Sequence, residues 1–270
     1  MAFRFGSATI LAILLLVLFA LFFFVFWFLW YRRGRLAEIS PRPLLPLERL
    51  RAYLNRAAEM GEAVHLSPGA GVLHERKSVA ETLAGLEVVA GVARDALALG
   101  VPVHATADDA VVSLVNGNAV DRAHQLAGRP PGLAAESTWV AQQNPIAYAA
   151  GVMDVLSEPA VQGNVLVGAW DEELLLAGEV GATECKFQLA GAARPAAAAL
   201  LPLITEDYLL GEEIYAAGAY LDPRPGRVVS LLAQDGIRMI VLLLIVLGVI
   251  LATAGVLDTI LLPLFQMPVR

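Results

Sequence analysis

From Ser7 to Tyr31 the chain carries no charged residue, and the stretch "ILAILLLVLFALFFFVFWFLW" within it is apolar throughout. About 20 such residues in a helix cross the hydrocarbon core of a bilayer, so this segment constrains the fold more than any other. A second uncharged run, Met239 to Leu257, follows Arg238. With 57% apolar residues and a mean hydropathy of +0.64, the composition fits a protein that lies partly in lipid. Transmembrane helices are therefore expected within residues 1–31 and over 239–257. A cleaved signal peptide is the alternative for the first run. Signal cores span roughly 7–15 residues and end at small residues, however, whereas this run is longer and continues through Phe, Trp and Tyr into Arg32, Arg33 and Arg35. A retained anchor is the better reading.

Cytoplasmic flanks of membrane spans collect arginine. Arg32, Arg33 and Arg35 follow the first span while Arg4 precedes it; Arg224, Arg227 and Arg238 precede the second while Arg270 follows it. The expected product is a two-pass protein of the cell membrane, with residues 32–238 cytoplasmic and both termini external. Its expected parts are an anchor (1–31), a basic juxtamembrane linker and helix (32–60), an α/β domain (61–222), a linker (223–238), the second span (239–257) and a short external tail (258–270).

Charge divides the cytoplasmic part. Between Arg32 and Arg56 seven arginines stand against Glu38 and Glu48, which suits anionic lipid head groups. From Glu59 to Asp222, 22 acidic residues stand against seven basic ones, a balance that argues against nucleic-acid binding. The one cysteine, Cys185, has no internal disulfide partner and reads as a buried thiol in a reducing compartment.

After the proline-punctuated "SPRPLLP", residues Leu47, Leu50, Leu54 and Ala57 or Ala58 recur at helical spacing, a stripe expected to dock on the domain. The body then alternates short apolar runs with helical patterns, which predicts α/β architecture: a mostly parallel, doubly wound, Rossmann-like sheet of about five to six strands. Strands are expected at 63–67, 101–106, 137–142, 164–169 and 186–191, with a sixth near Asp207 to Leu210. Ser78 and Glu81 have the spacing of a capping box before a helix whose face would be Val79, Leu83, Leu86, Ala90, Ala93 and Leu97. Asp108, Asn144 and Asp171 are expected to open the next three helices.

Ligands of open parallel sheets bind outside the carboxyl ends of the strands. "HLSPGAG" (65–71) falls at the first such end, but His74 stands where a dinucleotide fingerprint requires its third glycine, and no Walker lysine follows. What remains is a candidate anion site in which Ser67, Gly69, Gly71, Arg76, Lys77 and Ser78 converge on a helix start. Asp108, Gln143, Trp170 and Asp171 extend the candidate rim along the other strand ends. The plainer reading is that Pro68 and the glycines make a sharp turn. His65 and His104 could share a ligand if their strands are neighbours, although a hydrogen-bonded core histidine is commoner. No spacing supports a metal site, no catalytic set can be picked out, and no cofactor is indicated.

"HLSPGAG", "NPIAYAAGVMDVL", "NVLVGAWDEELLLAGEVGA" and "LLGEEIYAAGAYL", set between two terminal spans, resemble a family of bacterial membrane proteins defined as a domain of unknown function. The resemblance covers about residues 45–222 and implies a membrane-attached α/β domain, with no catalytic residues to carry over. Gly248, Ala252 and Gly255 place small residues on one side of the second span, which allows close helix packing. The expected partners are the lipid bilayer and other membrane subunits or further copies of the chain, with a small anionic ligand as a candidate. Two functions follow as expectations: a non-catalytic assembly or scaffolding subunit of a membrane complex, or a membrane-tethered small-metabolite or nucleotide-binding protein or enzyme that uses the rim. Neither span holds a charge, which argues against transport.

Overall fold

A computed structural model describes residues 16–25, 27–28, 43–128, 135–139 and 144–253, with the backbone alone for 135–139 and 251–253. The chain divides into two compact units. Residues 42–223 form one, and the two terminal segments form the other.

In the terminal unit, the described part of the first apolar run contains helix α1 (Leu16–Val25), with Phe23 stacked on Trp27 at 6.0 Å. The last helix, α9 (Pro225–Thr253), contains the one described segment long and apolar enough to cross a membrane, Pro225–Ile250. Residues 223–238 were expected as a linker, yet they are helical from Pro225 onward. Pro225 presets the φ of a first helical turn, and the Val, Leu and Ala residues after it favour continuation.

The other unit is an α/β domain. Helix α2 (Leu45–Met60) buries Leu47, Leu50, Tyr53, Leu54 and Ala57, the expected stripe widened by Tyr53, whose ring stacks on Phe187 at 5.1 Å. It stops at Gly61, whose φ of 70° a glycine adopts without strain. Five βα units follow: β1 (Ala63–Gly69) and α3 (Val79–Leu99); β2 (Val103–Ala107) and α4 (Ala110–Leu126); β3 (Ala135–Trp139) and α5 (Pro145–Leu156); β4 (Val161–Ala169) and α6 (Leu174–Glu184); and β5 (Phe187–Ala192) and α7 (Pro195–Ile204). Strand β6 (Asp207–Leu210) and α8 (Glu213–Leu221) close the domain.

All pairings are parallel and the strand order is β3-β2-β1-β4-β5-β6. The order reverses between β1 and β4, so the loops after these strands diverge and leave a crevice at their carboxyl ends. One face of the sheet is apolar: Val64, Leu66, Val103, Ala105, Val165, Val167 and Leu189 pack with α2, α3 and α8. The opposite face, under α5, α6 and α7, mixes Leu166, Ala190 and Ala192 with polar residues. There the register aligns His104, His65, Asn164 and Gln188 across four strands.

Three helix starts differ from expectation. The capping box does not form: the Ser78 hydroxyl donates to the Val72 carbonyl and accepts from its N–H, while Glu81 pairs with Arg194. Helix α4 is capped by Asp109 rather than Asp108, its carboxylate accepting from the N–H groups of Val111 and Val112. Asp171 lies two residues before the α6 cap at Glu173. Asn144 caps α5 as expected, accepting from Ala147 N–H. Loss of the Asp109 cap orphans two amides, so Asp109→Ala is expected to lower unfolding stability by about 1 kcal/mol in a urea titration. Leu83, expected on the buried face of α3, is 51% exposed. Leu86, Ala93 and Leu97 are buried as expected, and the packed surface of α3 extends further, through Gly85, Val88, Val89, Val92 and Ala96, because helix and strands approach closely at Gly85. A Cβ there would meet backbone atoms of Pro68, Val167 and Gly168.

Candidate functional site

The crevice holds a cavity of about 290 Å³. Gly71 and Ser78 line it from the β1–α3 connection, Asp108 from the end of β2, Asp171 and Glu173 from the β4–α6 turn, and Arg194 from the β5–α7 connection. His74 and Glu75 also line it, at exposed positions, and Pro145 at the start of α5 adds to the wall. Of the residues expected at a site, the structure thus brings together Gly71, Ser78, Asp108 and Asp171. Arg76 and Lys77 are exposed and lie outside the wall. Ser67 and Trp170 are buried behind it, with the Trp170 ring 5.7 Å from that of Tyr148. Gln143 lies outside the described residues.

The glycines of "HLSPGAG" serve packing within the protein. Gly69 has a φ of 90°, and a Cβ on it would overlap the carbonyl of Ala169 at the end of β4. A Cβ on Gly71 would overlap the Thr82 hydroxyl and the Ala169 side chain. Two of the loop amides are engaged as well, Gly69 N–H by Ser67 Oγ and Val72 N–H by Ser78 Oγ.

Arg194 straps the site together. Its guanidinium donates to Glu81 on α3 at 2.8 Å, to Asp171, and to the carbonyl of Lys77. Burial pushes the Glu81 carboxyl up despite this partner, with Asp171 adding to the rise. Burial also raises the Glu173 carboxyl, which accepts from the Asp171 N–H at 3.0 Å. Arg194 was not among the expected site residues. The position of Arg194, directly before Pro195 at a strand's carboxyl end, was the available signal.

Behind the wall a chain of hydrogen bonds crosses the polar face, and backbone groups set its direction. Gln188 Nε2 donates to the carbonyls of Gly178 and Ile204, leaving its Oε1 to accept from Asn164 Nδ2 at 2.7 Å. Asn164 Oδ1 therefore accepts from His65 Nδ1–H at 2.8 Å. His65 Nε2, now a lone pair, accepts from the Thr106 hydroxyl at 2.8 Å. Thr106 Oγ1 then accepts from the Tyr148 hydroxyl at 3.0 Å, and Tyr148 from Ser67. Burial holds His65 down to about 4, with the Asn164 bond opposing and His104 assisting. His65 and His104 are register partners, as expected of neighbouring strands, but His65 is a neutral core histidine bonded on both nitrogens. Among the described residues no group of three or more His, Cys, Asp or Glu side chains could hold a metal ion.

An all-parallel sheet in this order, with a charged crevice at its switch point, defines a Rossmann-like α/β domain, and among the described residues one helix is long and apolar enough to cross a membrane. Residues 2–261 match the model of the family described as "Domain of unknown function (DUF6754)", and the chain belongs to that family. The match takes in both apolar terminal segments, a wider span than the resemblance over residues 45–222. No curated protein and no solved structure matches the chain.

Proposed function

We propose that this protein is a membrane-anchored binding module whose α/β domain captures a small ligand in the crevice between β1 and β4. The observation that carries this reading is the cavity itself: it lies at the switch point, and its wall combines buried Asp108 and Glu173 with the strap of Arg194. Polar side chains buried around an open volume are what a ligand site requires. The full-length protein in detergent should be stabilised against heat by a small-metabolite extract through linkage. Ala70→Trp, which fills the crevice, should abolish that gain. Equal stabilisation in the variant, or none in either protein, would count against the crevice.

The assembly role is a second reading, favoured by the outer face of α4, where Val111, Leu114 and Val115 are 56%, 68% and 39% exposed. Such an apolar strip on a helix suits a partner surface. In α9, nothing lies within 4 Å of the place of a Cβ on Gly248, which leaves room for a neighbouring helix. The side chain of Ala252 and the whole of Gly255 lie outside the described residues.

In this proposal both apolar segments span the membrane and the domain is cytoplasmic, a topology supported by the arginine distribution. In intact cells, a cysteine at Ser7 should react with an impermeant maleimide and one at Ser40 should not. The opposite pattern would invert the topology. Background from Cys185 should be slow, because burial pushes its thiol up to about 11 and keeps it protonated.

A further inference from the structure

Beyond the crevice, and resting on the assembly reading above, we infer that the outer face of α5, α6 and α7 docks a cationic amphipathic helix of a partner protein. The three helices pack side by side over the polar face of the sheet, and their inner residues, among them Val152, Leu174 and Leu201, are fully buried. Their outer side is apolar as well. Helix α7 carries no polar side chain in its ten residues, a composition that belongs to a helix covered on every side. Yet its Leu203 is 73% exposed, and Ala196 and Ala199 are exposed at helical spacing from it. Ile146 on α5 and Leu175 and Leu176 on α6 continue the exposed apolar surface.

Charge decides what covers this face. Helices α5, α6 and α7 carry Asp154, Glu179 and Glu184 and no lysine, arginine or histidine. All three carboxylates are exposed, and among the described residues none of them forms an ion pair. A second copy of the chain would bring the same carboxylates to the contact, and anionic lipid head groups would be repelled by them. A helix with an apolar stripe flanked by lysine or arginine meets both demands. Its stripe removes Leu175, Leu176 and Leu203 from water, and its cations pair with the carboxylates. Glu179 stands one helical turn from Leu175 and Leu176, so charge and apolar surface meet on α6. The α4 strip is a separate surface, on the opposite side of the sheet, where α4 packs on α3.

Fluorescence anisotropy with the full-length protein in phosphatidylcholine nanodiscs, with the signal from empty nanodiscs subtracted, tests this. The probes are a labelled amphipathic helical peptide of leucine and lysine, the same peptide with glutamate for lysine, and decalysine. The leucine–lysine peptide should bind saturably and more weakly as salt is raised, and the other two should bind about tenfold more weakly or not at all. Glu179→Lys and Leu203→Ser, both at exposed positions, should each weaken the leucine–lysine peptide about tenfold, while Leu114→Ser on α4 should leave it unchanged. Binding that is equally tight for decalysine or for the glutamate peptide, that ignores both Glu179→Lys and Leu203→Ser, or that is absent altogether would overturn the inference. Loss in Leu114→Ser alone would move the partner to α4, which overturns this face and leaves the assembly reading standing. Self-association strengthened by Glu179→Lys, with no peptide bound, would give the face to a second copy and also overturn the inference. None of these results bears on the crevice, whose test is Ala70→Trp.

Discussion

Replacing His65 with alanine is expected to cost about 3–5 kcal/mol of unfolding stability, a large part of the roughly 5–15 kcal/mol that holds a domain together. The side chain is fully buried, and both ring nitrogens are bonded. Its loss leaves Asn164 Oδ1 without its donor and the Thr106 hydroxyl proton without its acceptor, and opens a void. The midpoint of urea unfolding, followed by circular dichroism on the full chain, measures the effect. A change below about 1 kcal/mol would mean that the hydrogen-bonded chain is not a structural element.

The same residue sets a pH dependence. His65 titrates near 6.5 when exposed in the unfolded chain and near 4 in the folded domain, so between these values the unfolded state binds the extra proton. Its contribution is intact above pH 6.5 and is lost as pH falls toward 4. At about 1.4 kcal/mol per pH unit this amounts to about 3 kcal/mol. His65→Ala should flatten that part of the stability profile.

Gly69→Ala is expected to be comparably severe, for a different reason. The φ of 90° is itself costly for alanine, and the added methyl overlaps the Ala169 carbonyl at the seam between β1 and β4. A loss of about 3 kcal/mol or more should result. Gly61→Ala separates the two causes: its φ is 70°, but nothing lies within 4 Å of the added methyl, so a loss near 1 kcal/mol is expected. Equal losses at the two positions would remove the overlap from the explanation.

What the residue pattern disclosed depended on how one-sided each environment is. The α2 stripe, the Asn144 cap and the sixth strand at Asp207–Leu210 were legible because each is a local signal, read against a single face or a single turn. The buried face of α3 was legible only in part, with Leu86, Ala93 and Leu97 placed and Leu83 not, because the helix is buried on several sides. Its apolar residues then carry little angular information, and close approach at Gly85 decides the orientation. Ser78 and Glu81 had capping spacing, yet tertiary partners 6 and 113 residues away took both side chains. The crevice was half legible: strand-end reasoning found Asp108 and Asp171. Arg194 and Glu173 acquire their roles only once β4 and β5 lie beside β1, which is information about topology rather than about any short segment.

The domain's first and last helices meet. Arg51, in α2, donates to the carbonyl of Tyr220 at 2.9 Å, and Arg94 donates to the carbonyl of Leu221 at 2.6 Å, beside Asp222. The two ends of a fold of some 180 residues are therefore fastened at one seam. A tensile load applied to the flanking segments falls first on this seam, and only after it parts on the sheet. While the fastening holds, the domain adds almost no slack between its neighbours in the chain. If the domain unravelled, the same stretch could pay out roughly 600 Å of extended polypeptide, at about 3.3 Å per residue. In mechanical terms the α/β domain is a buckle.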